Sequence, residues 1–265
     1  MKKSILWLVV LIESKAFPLL KWANVGAFLV TVLVNALAST GALNGKSTGE
    51  ISDRYATLVT PAGYVFAIWS VIYILLAVFV VFQALPSKRD KAFQREVGVL
   101  FVLGSVFNVV WIFLWQYEFI TLSVLPMFAL LATLVATYLR LKIGKSNVLM
   151  KEKLSVHLPF SVYLGWITIA SIADVAASLV SVNWDGFGLS DVTWAIIVIV
   201  VALAITLLVV FTRRDIAYGL VIIWALVGIA VKQSGNQSIV TATEVSAVVI
   251  AVALVLSILI SRFKR

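Results

Sequence analysis

Eight apolar segments, each close to the length that crosses a bilayer, constrain this chain more than any other feature. They lie at roughly Trp22–Leu43, Pro61–Leu85, Val97–Tyr117, Phe119–Leu141, His157–Val182, Val192–Phe211, Ile216–Val231 and Ile239–Ile260. A helix needs about 17–25 apolar residues to traverse the hydrocarbon core, and the seventh segment is marginal by that measure. No segment shows the two-residue alternation of a transmembrane barrel strand, so helices are expected throughout. The chain is 62% apolar and 12% charged, with a mean hydropathy of +1.09. A soluble domain is nearer half apolar and a quarter charged, so the fold class is an all-α membrane protein with about eight transmembrane helices.

The basic residues set an expected orientation. Eighteen of the 21 lysines and arginines fall in the N-terminal arm, the second-to-third, fourth-to-fifth and sixth-to-seventh loops, and the C-terminal tail. Lys46, Arg54 and Lys232 alone lie on the other side. This asymmetry places both termini inside, and it accounts for the net charge of +9 without invoking nucleic acid. Residues 1–21 carry an apolar run of eight residues broken by Glu13, Lys15 and Pro18, too short to span, and are read as an interfacial lead-in. The third and fourth spans have only Glu118 between them and must form a tight hairpin.

Few polar groups remain inside the spans. Asp174 is the one acid well within a segment, and an intramembrane carboxyl is a functional candidate by default. It is equally readable as a protonated or hydrogen-bonded contact between helices. Thr168, Ser171 and Ser178 accompany it on the fifth span. Asn108 and Trp111 share a helical face at i, i+3, which Trp115 continues, while Asn35 has less company. Asparagine within a span is often only glue between helices, worth about 0.6 kcal/mol. His157 sits at a predicted boundary on the basic side, and an interfacial role fits it best. With no cysteine and a single histidine, thiolate and multi-histidine metal sites are excluded. Phosphate loops, nucleophile elbows and zinc-helix motifs are absent as well.

The stretch from Thr60 to Tyr73 stands apart. Thr60 reads as an N-cap and Pro61 as the first helical residue. Tyr64, Trp69 and Tyr73 then bring polar-tipped rings into an apolar helix, with Trp69 too deep for an interfacial anchor.

Residues Tyr55–Ser178 resemble the TspO/MBR family, the tryptophan-rich sensory and translocator proteins. Three blocks carry the likeness: "YATLVTPAGYVFAIWSVIY" from Tyr55 to Tyr73, Asn108 with Trp111, and Pro159-Phe160 followed by Tyr163, Trp166 and Ser171. They are similar to the family's loop-to-second-helix, third-helix and fifth-helix signatures. Here Ala62 replaces a proline, the interval from Gly63 to Trp69 is one residue short, and Ser171 or Asp174 stands where asparagine is usual. The resemblance covers about half the chain and implies a TspO-like five-helix bundle over 22–184, with residues 185–265 as a three-helix extension. It further implies a ligand site at Trp69, Asn108, Trp111, Tyr163 and Trp166, with Tyr64, Tyr73 and Asp174 as further members.

The resemblance also implies the partners: the lipid bilayer and a hydrophobic small molecule, with a porphyrin or other tetrapyrrole as the expected ligand. No cofactor is required, and homo-oligomerisation is left open. Three functions follow as expectations. The first is ligand binding for sensing or transport. The second is proton-coupled transport using Asp174. The third is light-dependent porphyrin degradation by electron-rich indoles.

Overall fold

The computed structural model describes the backbone of residues 2–85 and 92–263 and the side chains of residues 19–85 and 92–260. Among these residues there is no β-strand. The helices are α1 (Lys2–Ser39), α2 (Thr48–Arg54), α3 (Ile68–Ala84), α4 (Ala92–Val97), α5 (Leu100–Gln116), α6 (Ile120–Arg140), α7 (Met150–Glu152), α8 (Leu158–Ser181), α9 (Asp191–Arg213), α10 (Ile216–Lys232) and α11 (Gln237–Phe263). Six helical stretches among the described residues are long and apolar enough to cross a membrane, and α5 and α10 are apolar but shorter, at 17 residues each. The eight expected segments are therefore all helical, and the protein is an integral membrane protein.

One local expectation changes, at Thr60, and α1 runs longer than the first expected span. The interruptions at Glu13–Lys15 and Pro18 do not break the backbone, since α1 continues from Lys2 to Ser39. The interfacial lead-in concerns side chains that, through residue 18, lie outside the described residues, as do Lys88, Arg89 and Lys91. Thr60 does not cap a helix. Its hydroxyl turns back to accept from Thr57 N at 2.8 Å, and the chain winds as a 3₁₀ turn over Gly63–Ala67 before α3 begins at Ile68.

Helices α1, α3, α5, α6 and α8 pack side by side, with α5 between α1 and α6, and α8 against α3 and α6. Helices α9, α10 and α11 associate mainly with one another, and α10 joins them to α8. Small residues permit that approach. A Cβ on Gly165 of α8 would lie 3.1 Å from Val221 Cβ, and one on Gly228 of α10 would collide with Val65 Cγ2 in the 3₁₀ turn. Close backbone approach matters here because, in lipid, helix association depends on packing and hydrogen bonds rather than on hydrophobicity. Asp215, in the α9–α10 turn, fastens the far end. It caps α10 through Tyr218 N at 3.1 Å and accepts from Tyr138 Oη at 2.8 Å and from Ser161 Oγ.

The α5–α6 hairpin is as tight as expected. Glu118 adopts a left-handed φ of 61°, and Phe119 N returns to Leu114 O at 2.8 Å. The loop from Thr40 to Ala62 folds over this same end of the bundle. Its helix α2 starts in a capping box, with Ser47 Oγ accepting from Glu50 N and Ser47 N donating to Glu50 Oε2.

Candidate functional site: a tryptophan nest beneath a pinned loop

Trp69 projects from α3 into the centre of the bundle. Its ring stacks on Tyr73 at 5.7 Å and on Trp111 at 6.1 Å, and meets Tyr163 and Trp166 edge-on at 6.1 and 6.0 Å. Trp115 extends the stack from Trp111 at 5.8 Å, and Phe66 closes on Trp166 at 6.0 Å. Separations and tilts of this kind suit the quadrupoles of aromatic rings. Three helices thus supply one nest, because Trp111 and Trp115 lie one turn apart on α5 and Tyr163 and Trp166 lie one turn apart on α8.

Polar groups position these rings. Asn35 Nδ2 donates to Asn108 Oδ1 at 2.7 Å, and Asn108 Nδ2 donates to Tyr163 Oη at 3.2 Å. The chain Asn35–Asn108–Tyr163 therefore ties α1, α5 and α8 together. Trp111 Nε1 donates to Asp174 Oδ1 at 3.4 Å. Ser123 Oγ lies 3.0 Å from that same oxygen and 2.7 Å from Ile120 O, with one proton for the two acceptors. Asp174 Oδ2, Trp166 Nε1 and Tyr73 Oη are buried without a hydrogen-bond partner.

Two spaces adjoin the nest. A cleft of about 490 Å³ opens between α1, α2 and the start of α3, with Asn35, Thr48, Phe66, Trp69 and Tyr73 in its wall. A smaller chamber of about 40 Å³ lies behind it, walled by Trp111, Trp115, Trp166, Asp174 and residues of the covering loop. Thr48, Phe66 and Trp69 line both, so Trp69 is part of the partition.

The covering loop is fastened to the α5–α6 hairpin. Trp115 Nε1 donates to Thr48 O at 3.2 Å, Gln116 Nε2 to Lys46 O at 2.8 Å, and Asn44 Nδ2 to Gln116 O. Glu118 receives Lys46 Nζ at 2.5 Å, Arg54 at 2.9 Å and Tyr55 Oη at 3.0 Å. The hydrogen bond from Lys46, then that from Tyr55 and the charges of Arg54 and Lys46, hold the Glu118 carboxyl below the ordinary glutamate value against a partial desolvation. The loop's other end is held by α10 and the residue after it. Ala62 N donates to Gly228 O at 3.0 Å, Trp224 Nε1 to Val65 O at 3.1 Å and Gln233 Nε2 to Thr57 O at 3.1 Å.

A protein-family model described as TSPO-like protein matches residues 21–260. The chain belongs to the TSPO-like family. The match runs through α9, α10 and α11, so the helices that lay outside the sequence resemblance fall within the family pattern. Neither the curated proteins nor the solved structures gave a match.

The structure brings together Trp69, Tyr73, Trp111, Tyr163, Trp166 and Asp174. It places Asn108 behind them, fully buried and on the wall of neither the cleft nor the chamber. Tyr64 stands elsewhere, 46% exposed and edge-on to Trp224 at 5.4 Å. The missing residue between Gly63 and Trp69 does not turn the indole away from the nest. Five residues of 3₁₀ helix rotate the chain by about 600°, as far as six residues of α-helix. Asn35, Phe66 and Thr48 are additions. Asn35 is legible as a buried amide four residues from Thr31 on α1, but nothing in the sequence pairs it with Asn108.

Proposed function

We propose that this TSPO-like protein binds a hydrophobic, aromatic small molecule, a porphyrin or related tetrapyrrole in the first instance, for sensing or transport. The cleft faced by Trp69 carries the reading. Its volume lies within the range of about 300–1,000 Å³ common for ligand pockets, and apolar and aromatic walls with a few placed polar groups are usual in them. Trp69, Phe66 and Tyr73 offer flat surfaces for stacking, while Asn35, Ser39, Ser47 and Thr48 supply polar groups at the rim. The pinned loop covers the mouth. The basic residues favour the cytoplasmic membrane, with both termini in the cytoplasm and this mouth on the opposite face.

Titration of the purified protein with protoporphyrin tests the reading through tryptophan quenching. Trp69→Ala combined with Asn108→Ala should weaken binding at least tenfold. Unchanged, saturable quenching in the double variant would remove the site.

Asp174 favours a second reading, proton-coupled transport, because it is a buried acid with one oxygen unpaired. Uptake into proteoliposomes that follows a pH gradient and disappears in Asp174→Asn would support it.

A further inference from the structure

The small chamber holds a mismatch that the nest does not resolve. Asp174 and Trp166 are each 2% exposed, and both line it. Asp174 Oδ2 accepts nothing and Trp166 Nε1 donates to nothing. The other carboxylate oxygen has one secure donor, the Trp111 indole at 3.4 Å, since the Ser123 proton is shared with a closer carbonyl. None of the chamber's lining residues is a lysine, arginine or histidine. A buried carboxylate without a cation or a full set of donors is costly, so whatever fills the chamber is selected to supply what the protein withholds. Ala170, Ala173 and Ala177 on α8 keep the wall beside Asp174 free of bulk.

We propose that this chamber is a subsite for a hydrogen-bond-donating nitrogen, in its strongest form the protonated amine of an aromatic ligand, with Asp174 as its acceptor. Trp166 Nε1 is the complementary donor, serving a carbonyl or water carried in beside the nitrogen. The chamber's volume suits a small polar head of this kind and not a ring system. This rests on the reading of the nest as a ligand site and narrows the chemistry the site accepts: a ligand carboxylate brought to the same place meets a like charge.

The test uses the full chain in detergent micelles and three naphthalene probes of matched size: 1-naphthylmethylamine, 1-ethylnaphthalene and 1-naphthylacetate. Calorimetric titration, corrected with empty micelles, should rank the amine at least tenfold tighter than the hydrocarbon and the hydrocarbon tighter than the acid. Asp174→Asn should abolish the amine's advantage, read as the ratio of amine to hydrocarbon affinity measured within the variant. The ranking in the wild-type protein stands as a test by itself if the variant does not fold. Equal binding of amine and hydrocarbon, or an advantage that survives Asp174→Asn, overturns the amine subsite and leaves the aromatic site standing. Saturable binding of none of the probes overturns both.

Discussion

Asn108 illustrates how a residue that touches no cavity still shapes one. It is fully buried and bonded on both sides, to Asn35 and to Tyr163, so removing it takes a partner from each, with Asn35 Nδ2 keeping its bond to Thr31 O at 2.8 Å. Leaving a buried group unsatisfied costs about 1–3 kcal/mol, more than the average bond between membrane helices is worth. Asn108→Ala should therefore destabilise the bundle by about 1–2 kcal/mol, measured by reversible unfolding in mixed micelles. A ligand should bind it more weakly through the loss of a fixed Tyr163. An unchanged unfolding midpoint would mean that Asn35 and Tyr163 find other partners. Much of the nest was legible at this scale: Trp111 and Asn108 share a face by spacing alone, and Trp69 is out of place as an anchor. Phe66 was not legible, because its direction depends on a 3₁₀ turn that no periodicity announces. The direction of Tyr64, edge-on to Trp224 and away from the nest, is set by the same turn.

Among the elements, the covering loop is held by two kinds of contact that respond to different conditions. Its link to Glu118 is ionic and partly open to solvent, with the Lys46 and Arg54 side chains 41% and 58% exposed. Salt screens such pairs. Because the Glu118 carboxyl is held below its ordinary value of 4.5, its contribution is complete above that pH and is lost as pH falls through the lowered value. Hydrogen exchange in residues 44–55 should thus be flat from pH 8 to 5, once corrected for intrinsic rates, and rise below about 4.5. Glu118→Gln should raise it at neutral pH and reduce its salt dependence to the share carried by the Asp53–Lys232 pair. The link to α10 combines packing and neutral hydrogen bonds with one ion pair, Lys232 Nζ to Asp53 Oδ1 at 2.7 Å, so salt weakens only that part of it. Gly228→Val should break it, since even one added carbon meets Val65, and should free the Pro61–Ala67 segment to exchange while the pairs at Glu118 persist. The spans themselves were legible to within a few residues because hydrophobic length is a strong signal. The contact between Gly228 and Val65 was not, because a glycine in an apolar helix says nothing of what approaches it.

For the molecule as a whole, the eight helices form one family pattern and the last three are part of it. Eight crossings, with the shorter α5 and α10 counted among them, are expected to return the chain to the side on which it began. The absence of any native cysteine makes this simple to measure. A membrane-impermeant maleimide should label a single cysteine at Ser47 in intact cells and one at Lys264 only after the cells are opened. Labelling of both from one face would contradict the arrangement.

The bond between Ala62 and Gly228 also sets an order of events in biosynthesis. Ala62 leaves the ribosome early, yet its amide has no acceptor until more than a hundred and sixty further residues have been made and α10 has reached its place beside α8. Such distant pairings are slow to form and are late to reward the chain for closing the intervening loop. The mouth of the cleft consequently cannot take its final shape before α10 is in place. A nascent chain that stalls before α10 carries every aromatic of the nest but no finished rim around it.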